Sequence, residues 1–142
     1  MQREGLRFEK KVQRLLYSHF PRATIYCNQW VRFEDDGGVG MASADVILLH
    51  NDIGVIFEIK RTKCEDAELQ LTGLYLPLYR QLFPRQKSWK LVEIYMHWHG
   101  PLQESRVLHV LTDVFDLPSE TIFFWAPDFR TRGYHGSRHW QS

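Results

Sequence analysis

Apolar positions recur at helical spacing over residues 4–20, where Phe8, Val12, Leu15, Leu16 and His19 gather on one face. Arg3, Arg7, Lys10 and Arg14 recur on nearly the opposite face, and Pro21 closes the segment. The pattern then changes. Residues 23–33 are β-branched and aromatic enough to predict a strand, and Asp35-Asp36-Gly37-Gly38-Val39-Gly40 reads as a loop. Two short apolar runs follow, 44–49 and 55–60, separated by Asn51-Asp52-Ile53-Gly54, which predicts a hairpin. Thr62 and Glu65 stand at capping-box spacing and announce a second helix. That helix runs to about Phe83, with interruptions at Gly73 and Pro77. Residues 89–98 and 105–112 predict two more strands, and from Ala126 the chain has no clear period. The order is helix, three strands, helix, strand, then a further strand and an irregular end, as in an α/β domain.

Both hairpin runs are apolar on their two faces, as in strands buried at the middle of a sheet. Three charges interrupt them: Asp45, Glu58 and Lys60. A buried charge without compensation is costly, so these three residues need partners. Glu58 and Lys60 are two apart and share a face of their strand. A turn centred between Asp52 and Ile53 would set Asp45 opposite Lys60 and Ile47 opposite Glu58. Asp45 and Glu58 would then be diagonal neighbours, about 7–8 Å apart at the backbone. Their carboxylates could converge on one cation at the magnesium range of about 2.0–2.1 Å. An ion pair between Lys60 and Asp45 would account for two charges and leave Glu58 over.

The length of 142 residues, 44% of them hydrophobic, suits one domain with a real core, 1–142, ending in an irregular basic and aromatic tail over 126–142. No apolar run is long enough to cross a membrane, and Met1-Gln2-Arg3-Glu4 leads into a charged helix rather than an apolar leader. A cytoplasmic location without membrane association is the expectation. Cys27 and Cys64 lack metal-ligand spacing and are expected to be reduced. His97 and His99, like His135 and His139, have no cysteine or carboxylate in their pattern to make a zinc site. The net charge of +1 hides an uneven distribution: residues 30–70 balance at −5, whereas 1–25 balance at +4 and 71–142 at +2. An acidic middle between basic ends suits a metal site bordered by phosphate-binding surface, and scattered solvated charge would give the same totals.

Asp45 followed by Glu58-Ile59-Lys60, in this order of elements, resembles the PD-(D/E)XK, or restriction-endonuclease-like, nuclease superfamily, with Ala44 where many members carry proline. The resemblance covers about residues 5–83 and implies that family's α/β core of helix, three strands, helix and strand, with a central mixed sheet flanked by helices. Within it, Gly5-Leu6-Arg7-Phe8-Glu9 resembles the opening helix of archaeal Holliday-junction resolvases and of nuclease-related domains. The resemblance implies Mg²⁺-dependent hydrolysis of DNA phosphodiester bonds, with Mn²⁺ as a substitute. Asp45, Glu58 and the Ile59 carbonyl would hold the ion, and Lys60 would orient water or neutralise developing charge. Glu9, at the edge of the apolar helix face, matches an accessory carboxylate. Gln70 matches a glutamine on the helix after the Lys strand, but the tyrosine that should follow four residues later is Tyr75, one place late. Candidate phosphate contacts are Arg7, Lys10, Lys11, Arg14, Arg61 and Lys63, with Arg130, Arg132 and Arg138 in the tail. One site per chain would favour a homodimer for cutting both strands. The alternatives are a catalytically silent nucleic-acid-binding or assembly subunit on the same fold, and an unrelated interaction module with surface ion pairs.

Overall fold

The computed structural model describes residues 2–62, 65–97 and 104–126. The first helix, α1 (Gln2–His19), buries Phe8, Val12 and Leu16, one apolar residue per turn. Each such burial contributes about 1.5–3 kcal/mol. His19 does not join that face: it is exposed and its ring meets the Leu15 carbonyl at 3.0 Å, while Phe20 enters the core instead.

The strand expected over 23–33 is broken in two, β1 (Thr24–Cys27) and β2 (Val31–Asp35). Asn28 lies between them in the left-handed region, at φ 53°, which an asparagine tolerates. The segment read as a loop is mostly paired. Strand β3 (Gly38–Ala42) returns antiparallel along β2, and the Asp35 side chain accepts a hydrogen bond from Gly37 N at 2.8 Å to form the turn.

A mixed five-stranded sheet carries the core. Strands β4 (Val46–His50), β5 (Ile53–Thr62), β6 (Ser88–His97) and β7 (Ile122–Trp125) join β1 in the order β1-β4-β5-β6-β7. The β1–β4 and β4–β5 pairs are antiparallel, whereas β5–β6 and β6–β7 are parallel. No strand forms at 105–112. Glu104–Arg106 and Leu111–Asp116 are 3₁₀ turns, and Val107 makes an isolated bridge to Phe124. Leu111 and Val114 are buried three apart within the second of these turns, which is the 3₁₀ period.

Between β5 and β6 the chain forms α2 (Glu65–Gln70), a π-helical turn (Leu71–Tyr75) and α3 (Leu76–Leu82). The interruption expected at Gly73 is this π turn. Pro77 sits in the first turn of α3, where a missing N–H costs nothing. The helices cover opposite faces of the sheet. Phe8, Val12 and Leu16 of α1 pack with Val46, Leu48, Val55, Phe57 and Ile59. Leu71, Tyr75, Leu76 and Tyr79 pack with Ile47, Ile56, Leu91 and Tyr95. The molecule is thus an α/β fold with its sheet between helical layers, and Ile56 of β5 packs on the side of the π turn and α3. Among the described residues no helix is long and apolar enough to cross a membrane.

Candidate active site

Strand β5 pairs with β4 as Val46↔Phe57 and His50↔Ile53. The turn is therefore Asn51-Asp52, one residue earlier than the sequence suggests, with Asn51 at φ 54°. Continuing that register sets Asp45 opposite Glu58 rather than opposite Lys60. Parity is preserved, so Asp45, Glu58 and Lys60 still project from one face, the side covered by the π turn and α3. Gly54 belongs to the strand because its register partner is Trp89, whose ring lies where a Cβ would stand.

The carboxyl groups of Asp45 and Glu58 interact electrostatically, and Asp45 Oδ2 accepts a hydrogen bond from Ile59 N at 2.7 Å. Burial pushes Asp45 up to about 8, the Glu58 charge adds to the rise, and the Ile59 amide partly opposes it. Burial likewise raises Glu58, against the pull of Lys60, whose Nζ lies 3.3 Å from Glu58 Oε2. Glu58 Oε1 is buried with no hydrogen-bond partner among the described residues. Two acids face one ammonium group in a largely dehydrated setting, and without a metal Asp45 keeps its proton at neutral pH rather than add a second charge.

Tyr75 stands close to this pair. Burial raises its phenol well above the ordinary value, and the Glu58 and Asp45 charges raise it further. Its hydroxyl donates to the Ser43 carbonyl at 3.3 Å. The π turn explains how a tyrosine five residues after Gln70 reaches the position expected of one four residues on. Leu76 N bonds to Leu71 O, an i→i+5 step that absorbs one residue without rotating the following helix. Gln70, on α2, keeps its Oε1 buried and without a hydrogen-bond partner among the described residues.

Glu9 reaches the site indirectly. Asn28 Nδ2 donates to Glu9 Oε2 at 2.8 Å, Gln13 Nε2 donates to Asn28 Oδ1 at 2.7 Å, and Asn28 N donates to the Asp45 carbonyl at 3.2 Å. The Glu9 charge adds to the rise in Asp45. Gln13 and Asn28 escaped the sequence reading, and neither type in isolation signals a site.

Glu93 also escaped it. This residue is fully buried on β6, is the register partner of Glu58 in the parallel pair, and accepts from Tyr95 Oη at 2.6 Å. The criterion that exposed Glu58, an acid inside a doubly apolar strand, applies equally to Val92-Glu93-Ile94. Lys90 meets the same criterion but serves structure, its Nζ capping the Leu117 carbonyl at 2.6 Å on the other side of the sheet.

The basic candidates divide. Arg7, Lys10, Lys11 and Arg14 are exposed on α1. Arg61 is half-buried, with its side chain against Gly5 of α1. Lys63 and the tail residues Arg130, Arg132 and Arg138 lie outside the described residues, as do Cys64, His99, His135 and His139. Among the described residues no group of three or more His, Cys, Asp or Glu side chains is arranged to hold a metal. A cation here would have two carboxylates and a main-chain oxygen, which suits an ion that retains several waters.

Comparison with protein-family models, with curated proteins and with solved structures finds no match to this chain.

Proposed function

We propose that the chain is a metal-dependent nuclease of the PD-(D/E)XK type, hydrolysing DNA phosphodiester bonds at Asp45, Glu58 and Lys60. One observation carries this reading: the half-buried Asp45 and the buried Glu58 sit together beside one ammonium group, and Glu58 keeps a buried oxygen without a partner among the described residues. A structural ion pair sets one acid against one base, whereas here a second acid can ionise only if it meets a cation. Hard oxygen donors fit Mg²⁺ or Mn²⁺, and Asp45, Glu58 and the Ile59 carbonyl would hold the ion. A bound ion would supply Lewis acidity toward a phosphoryl oxygen and make water more acidic.

The chain's own groups do the remaining work. Asp45 is fixed by the Ile59 amide and has little freedom to rotate away. Lys60, half-exposed beside Glu58, holds a proton at Nζ where negative charge would build on the phosphoryl group. Gln70 and Tyr75 bring polar groups from the helix above the sheet, and the Glu9–Asn28–Gln13 network fixes the main chain at Asp45. The exposed bases of α1 would contact phosphates.

The test is cleavage of plasmid, linear duplex, single-stranded and four-way-junction DNA with Mg²⁺, with Mn²⁺ and with EDTA. Metal-dependent cutting of at least one substrate supports the proposal. DNA binding without cutting in either metal would favour a silent binding subunit, and neither binding nor cutting would favour an interaction module.

A further inference from the structure

Two cavities adjoin on the face of the sheet that carries Asp45 and Glu58. The first, of about 310 Å³, lies between the β2–β3 hairpin and α3 and is walled by Tyr26, Trp30, Val31, Tyr79, Leu82 and Phe83. Its aromatic rings are already ordered as a platform. Tyr26 stacks on Phe83 at 5.9 Å between centroids, with 20° between planes, and Phe83 stacks on Tyr79 at 6.2 Å and 12°. Trp30 stands at the wall with 70% of its surface exposed, although an indole ordinarily gains much from burial. Ala44 and Ile47 also line the cavity, and they bracket Asp45 within two residues.

The second cavity, of about 870 Å³, shares Tyr26, Leu82 and Phe83 with the first and continues toward the far end of β4. Its lining includes Arg22, Arg85 and His50 and contains no carboxylate. Neither arginine makes an ion pair among the described residues. Aromatic faces in one chamber and unneutralised guanidinium groups in the next match the two halves of a nucleotide. Bases stack on aromatic rings, and phosphates pair with arginine. Both volumes lie in the range of ligand sites, about 300–1,000 Å³. Asp45 and His50 are separated along the chain by about 17 Å at 3.4 Å per residue, so the cleft runs from beside Asp45 toward the far end of β4 on the same face.

We propose that the adjoining cavities bind an unpaired nucleotide of a DNA strand, its base in the aromatic chamber and its neighbouring phosphates on Arg22 and Arg85. The inference rests on the nuclease reading for the identity of the ligand. A base inside a duplex has both faces stacked and its edge paired, so it enters only after leaving the helix. The substrate class that follows is single-stranded DNA, or a branched or frayed structure that exposes unpaired bases beside the scissile bond.

The test is fluorescence anisotropy of the full chain with a labelled oligothymidylate about 12 nucleotides long, in EDTA so that nothing is cut. The duplex of the same length and an oligouridylate serve as comparisons. Trp30, Arg22 and Arg85 are exposed, so their variants are expected to keep the wild-type circular dichroism. Wild type should bind the single DNA strand more tightly than duplex. Trp30→Ala should weaken that binding about 5- to 150-fold, the range for losing one stacked base. The Arg22→Ala, Arg85→Ala double variant should reduce the salt slope by about 1.4, the expectation for two single-strand phosphates. A preference for duplex, or variants that bind the single strand like wild type, would overturn the cleft. Tighter binding of the RNA strand would overturn its assignment to DNA. A wild type that binds through the cleft and yet cuts nothing in Mg²⁺ would sink the hydrolytic reading and leave the cleft standing.

Discussion

Replacing Asp45 by asparagine should leave the metal-free protein at least as stable as wild type, and increasingly more stable as pH rises. Asp45 is pushed up to about 8 by burial and by Glu58, from an ordinary value of 3.8. At pH 7 the folded chain therefore keeps a proton that the unfolded chain has released. The folded state binds more protons between these two values, so stability falls as pH rises through that window and levels off above about 8. Some three units lie between 3.8 and pH 7, and at 1.36 kcal/mol per unit the disadvantage reaches about 4 kcal/mol as an upper bound. Asparagine mimics the protonated acid. Its oxygen can accept from Ile59 N and its amide can donate to Glu58, so the local hydrogen bonds survive while the titration disappears. Urea unfolding in EDTA from pH 5 to pH 9 would measure this. The wild type should lose stability across the range, the variant should lose much less, and Mg²⁺ or Mn²⁺ should stabilise the wild type alone. At 100 times its dissociation constant an ion bound only to the folded state contributes about 2.7 kcal/mol. An Asp45→Asn variant clearly less stable than wild type at pH 8 in EDTA would refute this reasoning and mark the pair as a structural one.

Deleting Gly73 should convert the π turn to regular α-helix with Tyr75 still on the Gln70 face; thermal unfolding should shift by less than about 1 kcal/mol, and a collapse in melting temperature would show that the extra residue is required. Glu9→Gln should lower the cleavage rate less than Glu58→Gln, since Glu9 acts through Asn28 and Gln13; equal losses would place Glu9 at the reacting centre. Gly54→Ala should destabilise the fold by about 1–3 kcal/mol in urea unfolding, because the new methyl group collides with the Trp89 ring; an unchanged midpoint would mean that the ring moves aside freely.

The parts of the fold that were legible from sequence are those where burial imposes a period. Phe8, Val12 and Leu16 announced α1, and the unbroken apolar runs around Phe57 announced a central strand. Charges inside such runs stand out against their neighbours, which is why Asp45, Glu58 and Lys60 were found. Glu93 could have been found in the same way. What failed was decided by contacts distant in sequence. Gly54 looks like a turn residue but is glycine because Trp89 of the next strand passes over it, so the turn was placed one residue late. The β2–β3 hairpin was missed because Gly38-Val39-Gly40 carries little strand propensity and is held by pairing to Glu34 and Phe33. The run at 105–112 imitates a strand in composition, whereas its ends belong to 3₁₀ turns and Val107 between them makes an isolated bridge to Phe124. The extra residue between Gln70 and Tyr75 looked like a mismatch because helical spacing assumes 3.6 residues per turn throughout, and a π turn leaves no plain signature in composition.

Single-turnover cleavage of one end-labelled DNA strand in Mg²⁺, with wild type and Glu58→Gln purified in parallel, ties activity to this site. Glu58 is central because it alone combines near-complete burial, contact with both Asp45 and Lys60, and an oxygen without a partner among the described residues. The wild type is expected to cut in Mg²⁺ and to stop in EDTA. The variant should be slower by on the order of 10²–10³-fold, the scale for removing one stabilising group at a reacting centre. No cutting by the wild type in Mg²⁺ or Mn²⁺, or equal cutting by the two proteins, would contradict the assignment of hydrolysis to Asp45, Glu58 and Lys60.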